Sequence, residues 1–176
     1  MNKLKERDLK LRKLAIYGLG CAVKKLNAAN FSKYLSFTVG RNPVDEDLLK
    51  RAIPKAYNEV MKARKDCREY FLTQHNKDVL EEGANLNLKN KATNFCLARE
   101  GEIVSIKKAG NKENGIFDKL FGENYSSQIK CVGRVAFPKE NNKKRYSLEL
   151  VILDTVPEAR IGSIVTVHRK IACEVV

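Results

Sequence analysis

The chain is 176 residues long, 43 % hydrophobic and strongly basic, with 34 Lys and Arg against 21 Asp and Glu for a formal net charge of +13. That hydrophobic fraction suffices for one ordinary core or for two small units sharing an interface. No stretch approaches the roughly 20 apolar residues of a membrane span, and the charged N-terminus lacks a short apolar run before a small-residue site. The sequence therefore predicts neither a span nor a signal peptide, and points to the cytoplasm.

The positive charge is spread along the chain rather than gathered in a tail. It permits nucleic-acid, anionic-membrane or acidic-protein partners, and is equally compatible with a solvated Lys-rich surface. Five cysteines occur, Cys21, Cys67, Cys96, Cys131 and Cys173. Their number is odd and none are spaced CxxC, which argues against a zinc site, a redox motif or a disulfide framework. His75 with Cys21 and Cys67 lacks any ligand spacing.

Residues 3–26 read as a helix whose apolar face carries Leu11, Leu14, Ala15, Leu19, Ala22, Val23 and Leu26, with Lys10, Arg12, Lys13, Lys24 and Lys25 opposite. Gly18 and Gly20 cost such a helix up to about 1 kcal/mol each, and they permit close packing by a second helix. Asn27 to Val39 is less regular, with Phe31, Tyr34 and Phe37 suited to a further helical turn or a packed loop.

Asn42 then reads as an N-cap, followed by Pro43 at the first helical position and by Asp45, Glu46 and Asp47 at the positive end of the dipole. Leu49, Ile53, Ala56, Val60, Ala63, Cys67 and Tyr70 repeat at alternating four and three, a seam suited to one long partner helix. This helix is expected to end near His75, with a kink at Pro54 if that residue lies inside. A short helix through Val79 and Leu80 would follow, and Ala84 to Asn90 reads as a linker.

After residue 92 the period changes from helical to alternating. Phe95, Leu97, Ile103, Val104 and Ile106 read as a strand broken at Glu100-Gly101. Lys107 to Gln128 reads as a long loop, with one amphipathic turn at Ile116, Phe117, Leu120 and Phe121. Strands follow at Ile129–Phe137, at Arg145–Leu153 with Tyr146, Leu148, Leu150 and Ile152 on one face, at Ile164–Val167 and at Ile171–Val176. The expected class is α+β, with an N-terminal helical domain over 1–90 and a small β-barrel over 91–176. No enzyme signature is present. Gly18-Leu19-Gly20 sits in a helical pattern rather than after a strand, and the two histidines lie in no nucleophile motif.

The second half carries a two-ended motif. It starts with Cys96-Leu97-Ala98-x-x-Gly101-x-Ile103-Val104-x-Ile106. It ends with Ser147-Leu148-Glu149-Leu150-Val151, Val156-Pro157-Glu158-Ala159-Arg160-Ile161-Gly162-Ser163-Ile164-Val165-Thr166-Val167-His168 and Ile171-Ala172. This resembles the small hydrogenase-maturation chaperones of the HypC/HupF type, which open on a cysteine directly after the initiator methionine. Here the cysteine is internal, Glu100 replaces the family's proline, and Lys170-Ile171 replaces its final Gly-Phe.

The resemblance implies an OB-like barrel and a non-catalytic, chaperone-like role in metallocentre assembly, with a transiently held iron as cargo. It implies a partner from the maturation machinery or a metalloenzyme subunit. By match Cys96 would be the iron-ligand thiolate and His168 the histidine of the terminal Val-His motif. A soft thiolate suits iron bearing strong-field ligands, and Arg99 would lend it an electropositive setting. A second reading is an RNA-binding small barrel that uses its basic surface. That reading rests on the net charge, on Lys143, Lys144, Arg145 and Tyr146, and on Phe137 as a stacking ring.

Overall fold

The computed structural model describes residues 3–85, 95–139 and 142–176. They fall into two compact units, Met1–Ala98 and Arg99–Val176, the first helical and the second a barrel. The boundary expected after residue 90 lies outside the described residues. Among the described residues no helix is long and apolar enough to cross a membrane.

The first unit is organised on α1 (Lys3–Lys25), which contacts α2 (Ala28–Thr38), α3 (Glu46–Ala52), α4 (Pro54–Tyr57) and α5 (Cys67–Tyr70). Leu11, Leu14, Ala15, Leu19 and Ala22 are buried as the periodicity requires. Gly18 is where the neighbours come closest. A Cβ there would sit 2.5 Å from Ile53 Cδ1 and 2.7 Å from the Tyr34 hydroxyl, so only glycine admits both. The Tyr34 hydroxyl donates to the Ala15 carbonyl at 2.9 Å, which satisfies a phenol with no exposed surface.

The Asn27–Val39 stretch is a three-turn helix. The Asn27 side chain caps it by accepting from the Asn30 N–H, and Phe31, Tyr34 and Phe37 are buried one turn apart. The N-cap of α3 is Asp45 rather than the expected Asn42. Asp45 accepts from the Leu48 N–H at 2.9 Å and pairs with Lys33 at 2.7 Å, while the Asn42 amide donates to Ser36 Oγ. A charged acceptor that also holds a lysine outcompetes a neutral amide for the cap. Asp45→Ala is expected to cost about 1–2 kcal/mol and Asn42→Ala far less. Urea unfolding of the two variants tests the assignment, and equal midpoints would refute it.

The single long helix expected through Tyr70 is broken twice. Ile53 leaves helical geometry at φ −139° and ψ 60° so that Pro54 can start α4. After α4 a π-helical turn (Asn58–Lys62) ends at Arg64, whose φ of 61° is left-handed, and Asp66 caps α5 by accepting from the Glu69 N–H. The seam survives these breaks because α3, α4 and α5 all face α1. Its members are buried except Ala63, which lies at the second break. The helix does not end at His75. It continues from α5 through a π-helical turn (Phe71–His75) into α6 (Asn76–Asn85).

The second unit is a closed five-stranded barrel in the order β1-β2-β3-β5-β4. Its strands are β1 (Arg99–Lys108), β2 (Cys131–Lys139), β3 (Asn142–Ile152), β4 (Ile164–His168) and β5 (Ile171–Val175). The first part of β1 pairs with β4 and the rest with β2, around a bulge between Ile103 and Ser105; β3 meets β5 in parallel at Ile152 and Ile171. This is the OB-like Greek-key arrangement expected. Ile103, Val135, Phe137, Val151, Val165 and Val167 fill the interior.

Two sequence expectations are corrected here. Phe95-Cys96 is a helical turn in the first unit, and β1 begins only at Arg99, then runs unbroken through Gly101. The presumed loop after β1 holds α7 (Asn111–Phe121) and α8 (Glu123–Ser126). Glu113 accepts from the Gly110 N–H at the start of α7, Phe117 and Phe121 are buried, and Gly122 at φ 82° stops the helix. On β3 the face of Tyr146, Leu148, Leu150 and Ile152 is mixed, with Ile152 fully buried and its other end open. Val151 is buried in the interior, whereas Tyr146 and Leu148 are each 57 % exposed.

Candidate functional site

Cys96 sits in a segment held from behind by two consecutive residues at the end of the π-helical turn. His75 Nε2 donates to the Cys96 carbonyl at 3.2 Å. The Asn76 amide donates to the Ala98 carbonyl at 2.8 Å, and its oxygen accepts from the Ala98 N–H, also at 2.8 Å. Asn76 thus imitates a neighbouring strand, and the wider π turn brings both side chains to one register. The ring of His75 packs on Phe71 at 4.9 Å between centroids, which fixes its plane. Cys96 itself is half-buried, on a backbone that is pinned.

His168 lies in the other unit, at the end of β4, and is 1 % exposed. It precedes a tight turn in which Arg169 and Lys170 take left-handed φ values of 50° and 64°. Among the described residues no group of three or more His, Cys, Asp or Glu side chains is placed to hold a metal ion. Cys96 is a soft sulfur donor that joins no such group among the described residues. Cys67 is buried, with its sulfur 4.0 Å from the Lys10 carbonyl.

Arg99 points to a different task from the one expected. Its guanidinium donates to both Glu149 oxygens at 2.8 and 2.9 Å and lies 4.3 Å above the Phe137 ring. Lys170 donates to the same carboxylate. Glu149 shares the inward parity of Val151, so β3 turns a charge towards the barrel interior and two cations neutralise it. Burial alone would raise the Glu149 carboxyl, but the hydrogen bonds from Lys170 and Arg99 prevail and hold it below the usual carboxylate range. Sequence reasoning missed this cluster because its members are spread over β1, β3 and the β4–β5 turn.

Of the residues expected to bind RNA, Lys143, Lys144 and Arg145 fall on β3, and their side chains lie outside the described set. Tyr146 is exposed, but Phe137 is buried beneath Arg99. Among the described barrel aromatics Tyr146 alone is open to solvent, and stacking of successive bases needs more than one ring.

Comparison with protein-family models, with curated proteins and with solved structures found no match for this chain.

Proposed function

We propose that the protein is a non-catalytic metallocentre-assembly factor that docks on partner proteins and offers Cys96 as a thiolate ligand for transiently carried iron. The observation that supports it most is the half-exposed Cys96, pinned through its own carbonyl by His75 and through Ala98 by Asn76, directly ahead of an OB-like barrel. These hydrogen bonds run through the backbone and fix the position of the segment. The remaining motif residues fall on β1, on β3, and on β4, β5 and the turns flanking them.

The test is anaerobic affinity capture from the native host, after RNase treatment, comparing wild type with Cys96→Ala. Loss of a metalloenzyme subunit or maturation partner in the variant, with the melting temperature unchanged, is the expected result. Full retention of partner and client activity in Cys96→Ala would sink this mechanism. The nucleic-acid reading is carried by the net charge of +13 and by exposed Tyr146. It requires RNA binding at about 50 mM salt that weakens steeply as salt rises.

A further inference from the structure

The helical unit contains a second feature, a half-open groove of about 210 Å³ between α1, the α3–α4 junction and the α5–α6 helix. Its floor is Ile53, Ala56, Tyr70 and Phe71, all buried. Burial pushes the Tyr70 phenol up to about 12, so the floor carries no charge at neutral pH. Cys21, His75 and Val79 form the half-buried wall.

Two interruptions of the helices coincide at this place. The break at Ile53-Pro54 opens one side, and the π-helical turn that begins at Phe71 and ends at His75 widens the other. Each interruption sacrifices regular α-helical hydrogen bonding, and such π turns concentrate at functional sites. The aromatic rings are already ordered. Phe71 stacks on Tyr17 at 4.7 Å and meets Tyr70 edge-on at 5.2 Å.

The rim balances its charge. It carries Lys25 and Lys55 against Asp78 and Glu82, and Lys55 is bound to Asp78 at 2.7 Å. A strongly charged ligand would meet a repelling partner whichever its sign. The volume matches roughly a dozen close-packed non-hydrogen atoms.

The geometry points to a binding site for a small, flat aromatic molecule of no net charge, seated on Tyr70 and Phe71 with its edge against Cys21 and His75. This site shares His75 with the anchor of the Cys96 segment but does not rest on the role proposed for Cys96.

2-Naphthol, titrated into the full-length protein, is the probe. One-to-one saturable binding is expected, together with an at least about fivefold slower alkylation of Cys21 by iodoacetamide at saturation, read by peptide mass spectrometry. Cys131, on β2, serves as the internal reference. Val79→Phe fills the groove from its wall and should weaken binding at least about tenfold. Unchanged alkylation of Cys21, or equal protection at Cys21 and Cys131, overturns the proposal. So does wild-type affinity in a folded Val79→Phe, or tighter binding of 2-naphthoate or 2-naphthylmethylamine than of 2-naphthol. Should Val79→Phe fail to fold, protection of Cys21 in the wild type decides alone.

Discussion

Gly101→Ala is expected to destabilise the barrel by about 3 kcal/mol, among the largest effects of any single methyl group in this chain. A Cβ at Gly101 would lie 2.6 Å from Val135 Cγ1, 2.8 Å from the Ala136 carbonyl oxygen and 2.8 Å from Phe137 Cδ1. The two side chains can yield a little, but the carbonyl belongs to the β1–β2 ladder, where Glu102 is paired with Ala136. Relief therefore requires β2 to move away from β1 at the point where β1 also holds β4. A loss of this size should lower the barrel's thermal midpoint by at least about 12 °C. Gly115→Ala is the matched control. Gly115 lies inside α7 with nothing within 4 Å of its Cβ position, so alanine there should add up to about 1 kcal/mol. Differential scanning calorimetry of both variants reads opposite signs from one substitution type. A Gly101→Ala midpoint within about 2 °C of wild type would show that the strands are not this close.

That glycine also shows where sequence reading loses the fold. Gly101 interrupts an alternating pattern and so reads as a strand break, when it is the residue that lets two strands approach. The same ambiguity affects β3, where Tyr146, Leu148, Leu150 and Ile152 form the better apolar alternation. The opposite parity, with Ser147 and Glu149 ahead of Val151, also reaches the interior, where Arg99 and Lys170 make Glu149 tolerable. Those partners are 50 and 21 residues away along the chain, beyond any local pattern. In the helical half the seam predicted burial correctly but not continuity. A heptad pattern reports which side faces α1, and the breaks at Pro54 and Arg64 leave that side unchanged.

The candidate site was legible in composition and not in place. The segment at Cys96 stood out as a motif, yet its backbone partners His75 and Asn76 are 21 and 22 residues earlier. They stand where a π turn passes into the next helix, which no propensity announces. The helix over Asn111–Phe121 was missed for a related reason. Gly110, Gly115 and Gly122 suggest a loop, whereas Gly110 and Gly122 stand at the two ends of the helix and Gly115 lies within it.

Glu149→Gln is the second large effect, expected at about 2–3 kcal/mol at pH 7, since removing one charge from a mostly buried ion cluster strands the others. The Glu149 side chain is 19 % exposed and serves both Arg99 and Lys170, so the amide leaves two neighbouring cations without a counter-charge. Lys170→Met should cost less, because Arg99 and Glu149 remain matched. The pH dependence separates this account from simple loss of packing. Glu149 has a depressed carboxyl in the folded barrel, held down by Lys170 and Arg99 against burial. Such a group contributes stability that is fully present above its unfolded value of about 4.3 and is lost as pH falls through the lower folded value. Urea unfolding of wild type and Glu149→Gln at pH 7 and near pH 3 should therefore show a wide gap that narrows in acid. A gap of equal size at both pH values would mean that shape, not charge, holds this end of the barrel. No gap at pH 7 would mean that Arg99 and Lys170 find water as readily as they find Glu149.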